Sequence, residues 1–301
     1  MSFQRKKWQT IFLIIMIPVA GVFGWLLAWS SFNTNMQYEI NIEGSTTVEK
    51  ILENSTKAFT ESHPNVQVTL TGTGSSAGIT ALTNDLVDIA MTSRPIEDSE
   101  NQTANNELKE IAIAKDVLVL IINSEADPLD ISLNIARAIF NGTITEWSNP
   151  LVSSANLLGS IQLVVREAGS GTRDFFNEFV MGDVTQSSTG STYPSTAVEK
   201  TSSHLMLEAI SANPSCIGYI GLGFLSENVD AVKINGVEPK LESVKNGSYT
   251  IQRNLFLVTK GALLEGSIIR EFINYSLSPE GQKIVQETGF VPIIEIIDRW
   301  D

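Results

Sequence analysis

Apolar and polar positions alternate over residues 38–42, and then the period changes. Val48, Ile51, Leu52, Ser55, Ala58 and Phe59 recur at helical spacing. Between the two patterns lies Gly44-Ser45-Thr46-Thr47, and Glu49, three residues after Thr46, predicts a capping box at the start of the helix. The succession then repeats. Residues 66–70 predict a strand, residues 72–78 a turn of glycines and hydroxyls, and Ile79, Leu82 and Leu86 a helix. Residues 88–91 predict a third short strand, followed by Thr92-Ser93-Arg94-Pro95. A strand–turn–helix rhythm of this kind predicts an α/β chain with a parallel sheet.

Further along, residues 117–122 form an unbroken apolar run, which predicts a strand buried on both faces. A helix is expected over residues 133–140, closed by Asn141-Gly142. The apolar run 161–165 leads into Arg166-Glu167-Ala168-Gly169-Ser170-Gly171-Thr172-Arg173-Asp174, then into a helical pattern carrying Phe175, Phe176, Phe179 and Val180. Residues 182–202, rich in Ser, Thr and Gly, read as a surface loop. A helix over 205–210 and a strand over 217–220 follow. Residues 232–250 predict a hairpin with turns at Asn235-Gly236 and Asn246-Gly247. A buried strand over 255–258 and helices over 268–277 and 279–287 close the chain. No single point divides these elements, so two α/β lobes with more than one chain crossing are expected. A length of 301 residues is enough for both.

The N-terminus stands apart. Arg5, Lys6 and Lys7 precede an uncharged stretch of 19 residues, 11–29. That length suits a membrane span, and Pro18, Gly21 and Gly24 do not exclude one. The segment reads either as an uncleaved anchor or as a cleaved signal, with its basic end cytoplasmic and the rest of the chain outside. The segment carries +3 of a net charge of −14, so the remainder carries −17. Such an acidic exterior argues against nucleic acid as a partner. The single cysteine, Cys216, allows no internal disulfide and reads as a buried small residue. Two histidines, His63 and His204, cannot build a histidine-rich metal site, and no cofactor is expected.

Three hydroxyl- and glycine-rich turns precede helices: Ser45-Thr46-Thr47, Ser75-Ser76 and Ser170-Gly171-Thr172. Any one of them alone is an ordinary helix cap. Three after strands are a different matter, because strand C-termini in an open α/β sheet face one crevice. Unpaired N–H groups, hydroxyls and helix dipoles gathered there suit an oxyanion. Arg166 or Arg173 would supply the formal charge. Arg173 reads equally well as a first-turn residue paired with Glu178 or Asp174, whereas Arg166, just off a strand end, reads as a ligand. Trp147 reads as a packing anchor.

Two motifs point elsewhere. Residues 72–77 fit the dinucleotide fingerprint, but the acidic residue expected at the end of the next strand is missing. Gly74-Ser75-Ser76-Ala77-Gly78 fits the hydrolase elbow, which makes a serine hydrolase using Ser76 and His204 an alternative. No phosphate-loop motif occurs.

At these residues the chain resembles the phosphate-binding proteins of bacterial and archaeal phosphate ABC transporters. The resemblance covers roughly residues 38–301. It rests on Gly44-Ser45-Thr46-Thr47-Val48, residues 74–78 and 88–94, the run 139–147, the stretch 166–173, Ile217-Gly218-Tyr219 and residues 277–282. It implies an α/β, two-lobed type II periplasmic-binding-protein fold, with residues 38–117 and 253–301 as the first lobe and 118–252 as the second. Residues 1–37 would be the basic terminus with its anchor or signal segment. Hinge strands would fall near residues 117–122 and 254–258. Carried over by position, Ser45, Thr46, Thr47 and Ser75 would bind phosphate from the first lobe. Arg166, Ser170, Gly171 and Thr172 would bind it from the second. Ser93 stands where the best-known branch has an aspartate that accepts the proton of hydrogen phosphate, and Arg94 adjoins it. The implied protein is not an enzyme. It is a monomer outside the cytoplasm, with inorganic phosphate and ABC permease subunits as partners and the membrane reached through the N-terminal segment. A binding module for sulfate, molybdate or tungstate, or a sensor, is the alternative reading.

Overall fold

A computed structural model describes residues 37–152, 157, 159–182 and 193–293. Strand β1 (Tyr38–Gly44) leads into helix α1 (Thr46–Ser62), β2 (Val66–Gly72) into α2 (Ser75–Thr83), and β3 (Ile89–Thr92) into the short α3 (Asp98–Thr103). The predicted rhythm is present, with two local corrections. Helix α2 ends at Thr83, so Leu86, expected on it, lies beyond it and is exposed. The N-cap of α1 is Ser45, whose hydroxyl accepts the Thr47 N–H, and not Thr46. Glu49 packs instead against Gly72 at the end of β2.

The chain continues through β4 (Leu108–Asn123), β5 (Asp130–Ile131), α4 (Leu133–Phe140) and β6 (Gln162–Arg166). Helix α5 (Gly171–Phe176) follows, prolonged by a π turn over Asn177–Gly182, and then β7 (Val198–Lys200), α6 (Ser203–Ser211) and β8 (Cys216–Gly221). Next come β9 (Val229–Ala231), β10 (Lys233–Ile234), α7 (Leu241–Lys245) and β11 (Gln252–Lys260). Helices α8 (Ile268–Leu277) and α9 (Pro279–Glu287) and the short β12 (Val291–Pro292) end the described chain.

The main sheet runs β2-β1-β3-β11-β4-β8-β6-β7. Two parallel triplets, β2-β1-β3 and β8-β6-β7, are joined by the antiparallel strands β11 and β4. One strand serves both lobes: residues 108–117 of β4 pair with β11, and residues 118–122 pair with β8. Where β4 passes between them, the Leu118 N–H donates to the Ile251 carbonyl at 2.9 Å, so the returning chain crosses beside it. The apolar run Val117 to Ile122 is buried throughout, as its sequence predicts. Each such side chain contributes about 1.5–3 kcal/mol on burial, which makes this strand the spine of the core. Trp147 and Cys216 are buried as expected, the indole donating to the Ser215 carbonyl.

Three expectations need correction. Strand β4 begins at Leu108, well before the apolar run, because its charged half borrows order from β11. Residues 232–250 do not form a hairpin. Asn235-Gly236 does turn the chain, but β10 pairs with β5, and Asn246-Gly247 terminates α7. Within the expected loop 182–202, Val198–Lys200 adds an edge strand to β6. Among the described residues no helix is long and apolar enough to cross a membrane, and the run 11–29 lies outside the described residues.

Candidate functional site

The parallel triplets aim their strand C-termini at a common cleft. From the first lobe come Ser45 to Thr47 after β1, Ser75 after β2, and Ser93 and Arg94 after β3. From the second come Arg166 to Thr172 after β6, and Ser203 at the start of α6. Gly44 makes the first approach feasible. Its φ is +139°, and a Cβ there would lie 2.2 Å from the Met91 carbonyl oxygen, so only glycine lets the end of β1 lie against β3.

Six hydroxyls in this cleft share a polarity. Ser45 Oγ accepts from Thr47 N–H, Ser75 Oγ from Ser93 N–H at 3.2 Å, and Ser170 Oγ from Arg173 N–H. Thr46 Oγ1 accepts from Ser203 N–H, Ser203 Oγ from Arg166 Nη1–H, and Thr172 Oγ1 from Arg253 Nη2–H at 2.9 Å. A hydroxyl has one proton and two lone pairs. With a lone pair engaged by a protein N–H, each group keeps its O–H to donate. The cluster is therefore a set of buried donors, all of these residues being at most 8 % exposed.

The lobes touch through this cluster. Thr47 Oγ1 lies 3.1 Å from Thr172 Oγ1 and 3.4 Å from Ser203 Oγ, and Ser76 N–H donates to the Gly169 carbonyl at 3.1 Å. Gly171 packs so tightly that a Cβ on it would fall 2.4 Å from Ser75 Oγ and 2.7 Å from Ser93 Oγ. Glycine is required there so that the second lobe's loop can reach the first lobe's serines.

Four arginines surround the cluster, and the structure separates their roles. Arg166 is buried at 2 % exposure. Its Nε and Nη2 hold Glu167, with the Lys200 and Thr201 carbonyls beside them, and Nη1 reaches Ser203. Arg94 lies in the cleft but turns away from the hydroxyls. Its Nη atoms donate to both oxygens of Glu100, to the Pro95 carbonyl and to Ser76 Oγ, and its Nε donates to Asp174 across the cleft at 2.8 Å. Burial opposes its charge, but Glu100 and Asp174 outweigh that and hold its pKa above the usual range. Burial in turn pushes the Asp174 carboxyl up, which Arg94 offsets only in part. Arg173 has a structural role but not with the expected partners: it pairs with Glu199 rather than Glu178 or Asp174, donates to the Arg166 carbonyl and stacks over Tyr193.

Arg253, on β11, went unseen in the sequence. It holds Asp116 through Nε and Nη2 and also reaches Gly171 and Thr172. Burial pushes the Asp116 carboxyl up and pulls Arg253 down, each partner offsetting this in part. Ser203 and Asp116 were missed too. The available signal was a charge at the head of each of two apolar strands, Asp116 (beside Lys115) before 117–122 and Arg253 before 255–258. Ser76 and His204 do not meet. Ser76 Oγ accepts from Arg94, while His204 is exposed and pairs with Glu208 on its own helix.

The PBP superfamily domain matches residues 31–280. The chain is 28 % identical over 289 residues to the phosphate-binding protein PstS of Borreliella burgdorferi, covering 95 % of this chain and 99 % of that one. It is 29 % identical over 272 residues to PstS of Staphylococcus haemolyticus, covering 85 % and 82 %. Among solved structures, a phosphate ABC transporter substrate-binding protein from Clostridium perfringens with bound phosphate superposes with a TM-score of 0.76 at 32 % identity, covering 85 % of this chain and all of that one. An ABC-type phosphate transport receptor from Vibrio cholerae gives 0.67 at 29 %, covering 84 % and 99 %. The chain belongs to the PBP superfamily of two-lobed binding proteins, and within it to the PstS-like phosphate-binding proteins.

Proposed function

We propose that this protein captures inorganic phosphate between its lobes and delivers it to the permease of an ABC transporter. The observation that carries the proposal is the polarity of the cleft: hydroxyls from both lobes, among them Thr46, Ser75, Thr172 and Ser203, accept a protein N–H and keep their own protons to donate, and buried Arg166 bonds Ser203. Donors supplied from both sides favour the closed form when an anion bridges them. Hydrogen bonds to a charged group contribute about 1.5–3 kcal/mol each, so several together support tight binding without any covalent chemistry. The protein is accordingly a binding protein and not an enzyme. The relatives named PstS and the phosphate-bound neighbour support the same ligand.

In this reading residues 38–117 and 253–301 form one lobe and 118–252 the other. Ser45, Thr46, Thr47, Ser75 and Ser93 contact the ligand from the first. Arg166, Ser170, Gly171 and Thr172 contact it from the second. Arg94, its N–H groups already committed, ties the lobes together and makes no ligand contact. The protein acts as a monomer outside the cytoplasm, held at the membrane by residues 1–37 or released if they are cleaved. Calorimetric titration with phosphate, sulfate, molybdate and tungstate tests the ligand. Ser93 offers a hydroxyl where a carboxylate would repel sulfate, so sulfate is the informative competitor. Binding of phosphate in preference to the other three is expected, and binding of sulfate without phosphate overturns the assignment.

A further inference from the structure

Two charged residues lie at the crossing between the lobes, outside the turns that mark the cleft. Asp116 is the last charged residue of β4 before its shared half, and it is wholly buried. Arg253 sits opposite it on β11, with which this part of β4 pairs, and is 6 % exposed. Two guanidinium N–H groups, on Nε at 3.1 Å and Nη2 at 2.7 Å, go to Asp116 Oδ2. Nη1 donates to the Gly171 carbonyl at 3.1 Å, and the second Nη2–H goes to Thr172 Oγ1 at 2.9 Å. An arginine on a strand of the first lobe thus grips the anion loop of the second by its backbone and its hydroxyl together.

We infer that Arg253, oriented by Asp116, is a positioning residue that fixes Thr172 as a hydrogen-bond donor to the ligand. The inference rests on the phosphate-binding reading above. The hydrogen-bond count of Thr172 carries it. An arginine N–H can only donate, so Thr172 Oγ1 must accept on that side. Its own proton is thereby turned to the other side, where Thr47 Oγ1 stands at 3.1 Å and the first lobe's hydroxyls converge. Without Arg253, the Thr172 hydroxyl is free to rotate and to offer lone pairs to the anion, which is repulsive. Asp116 supplies the other half of the device. By accepting from Nε and Nη2, along one edge of the guanidinium, it fixes the plane that aims the remaining N–H groups at Gly171 and Thr172. The pair also leaves no net charge at the crossing, so Arg253 acts through geometry. Lysine cannot replace it, since one ammonium cannot span Asp116, Gly171 and Thr172 in this planar arrangement.

The test is a double-mutant cycle on the full chain, read by phosphate calorimetry with the thermal midpoint of the phosphate-free protein measured alongside. Arg253→Lys and Thr172→Val are each expected to weaken phosphate binding by about tenfold, the loss of a hydrogen bond to a charged group. Arg253→Lys combined with Thr172→Val is expected to bind no more weakly than Thr172→Val alone. Asp116→Asn, which keeps the shape and removes the charge that orients the guanidinium, is expected to show the same dependence on Thr172. If Arg253→Lys does not fold, the cycle of Asp116→Asn with Thr172→Val decides the same point. Independent, multiplicative losses, or a parent-like affinity in Arg253→Lys, would overturn the positioning role while leaving phosphate binding by the parent intact. A parent that binds none of the four anions overturns the functional reading and this inference with it.

Discussion

Arg94 and Arg166 are both buried arginines at the mouths of parallel strands, one in each lobe, yet their surroundings differ in kind. Arg94 has all five N–H groups engaged and three carboxylates near it, Glu100, Asp174 and, at 3.7 Å, Glu97, so its neighbourhood carries a net negative charge. Arg166 has one carboxylate against it, Glu167, and one Nη1–H beyond its contact with Ser203. It also adjoins the start of α6, a nine-residue helix whose dipole favours an anion. In the proposed site, proximity of a positive side chain to the cleft does not by itself make it a ligand. What distinguishes the two is the number of N–H groups left over and the local charge balance.

Substitutions at the arginines put this contrast to the test. Removing the proposed ligand arginine should cost the most: Arg166→Ala should weaken phosphate binding at least tenfold by calorimetry, given about 1.5–3 kcal/mol for each hydrogen bond to a charged group. A change at Arg94 should act only through closure. Arg94→Gln and Asp174→Asn should each weaken binding by roughly threefold, the worth of a partly exposed ion pair. Because the two residues form one interlobe contact, the double variant should be no weaker than either single one. A loss in Arg94→Gln that Asp174→Asn does not reproduce would place Arg94 on the ligand. Arg173→Ala should matter least, leaving affinity within about twofold while lowering the thermal midpoint, since a first-turn arginine paired with a surface carboxylate contributes modestly.

Much of this fold could be read from periodicity. The strand–turn–helix units around Ser45 and Ser75, helix α4, and helices α8 and α9 lie where the apolar spacing places them, because each buries one face locally. The first half of β4 could not be read that way. Lys109, Glu110 and Lys115 interrupt it, and its order comes from a partner strand more than a hundred residues away. The hairpin expected over 232–250 failed for a related reason. Its Asn-Gly signals are real turns, but one of them ends a helix, and β10 finds its partner in β5. At the site, the hydroxyl turns were legible because small residues between a strand and a helix are a local signature. Ser203, Asp116 and Arg253 were not legible, since what recruits them is contact across 37, 137 and 81 residues with Arg166, with each other and with Thr172. Arg94 shows the converse: its position in the chain was informative, but its orientation was set by Glu100 and Asp174.

If an anion is held by the hydroxyl cluster and Arg166, with Arg94 and Arg253 serving in support, the phosphate complex must show it. The decisive measurement is a crystal structure of that complex, through the distances from each phosphate oxygen to these groups. Oxygens are expected at about 2.7–3.2 Å from Arg166 Nη1 and from the Thr47, Ser75 and Thr172 hydroxyls, with Arg94 still on Glu100 and Asp174. Phosphate oxygens seated on Arg94, with Arg166 left to Glu167 alone, would contradict this site.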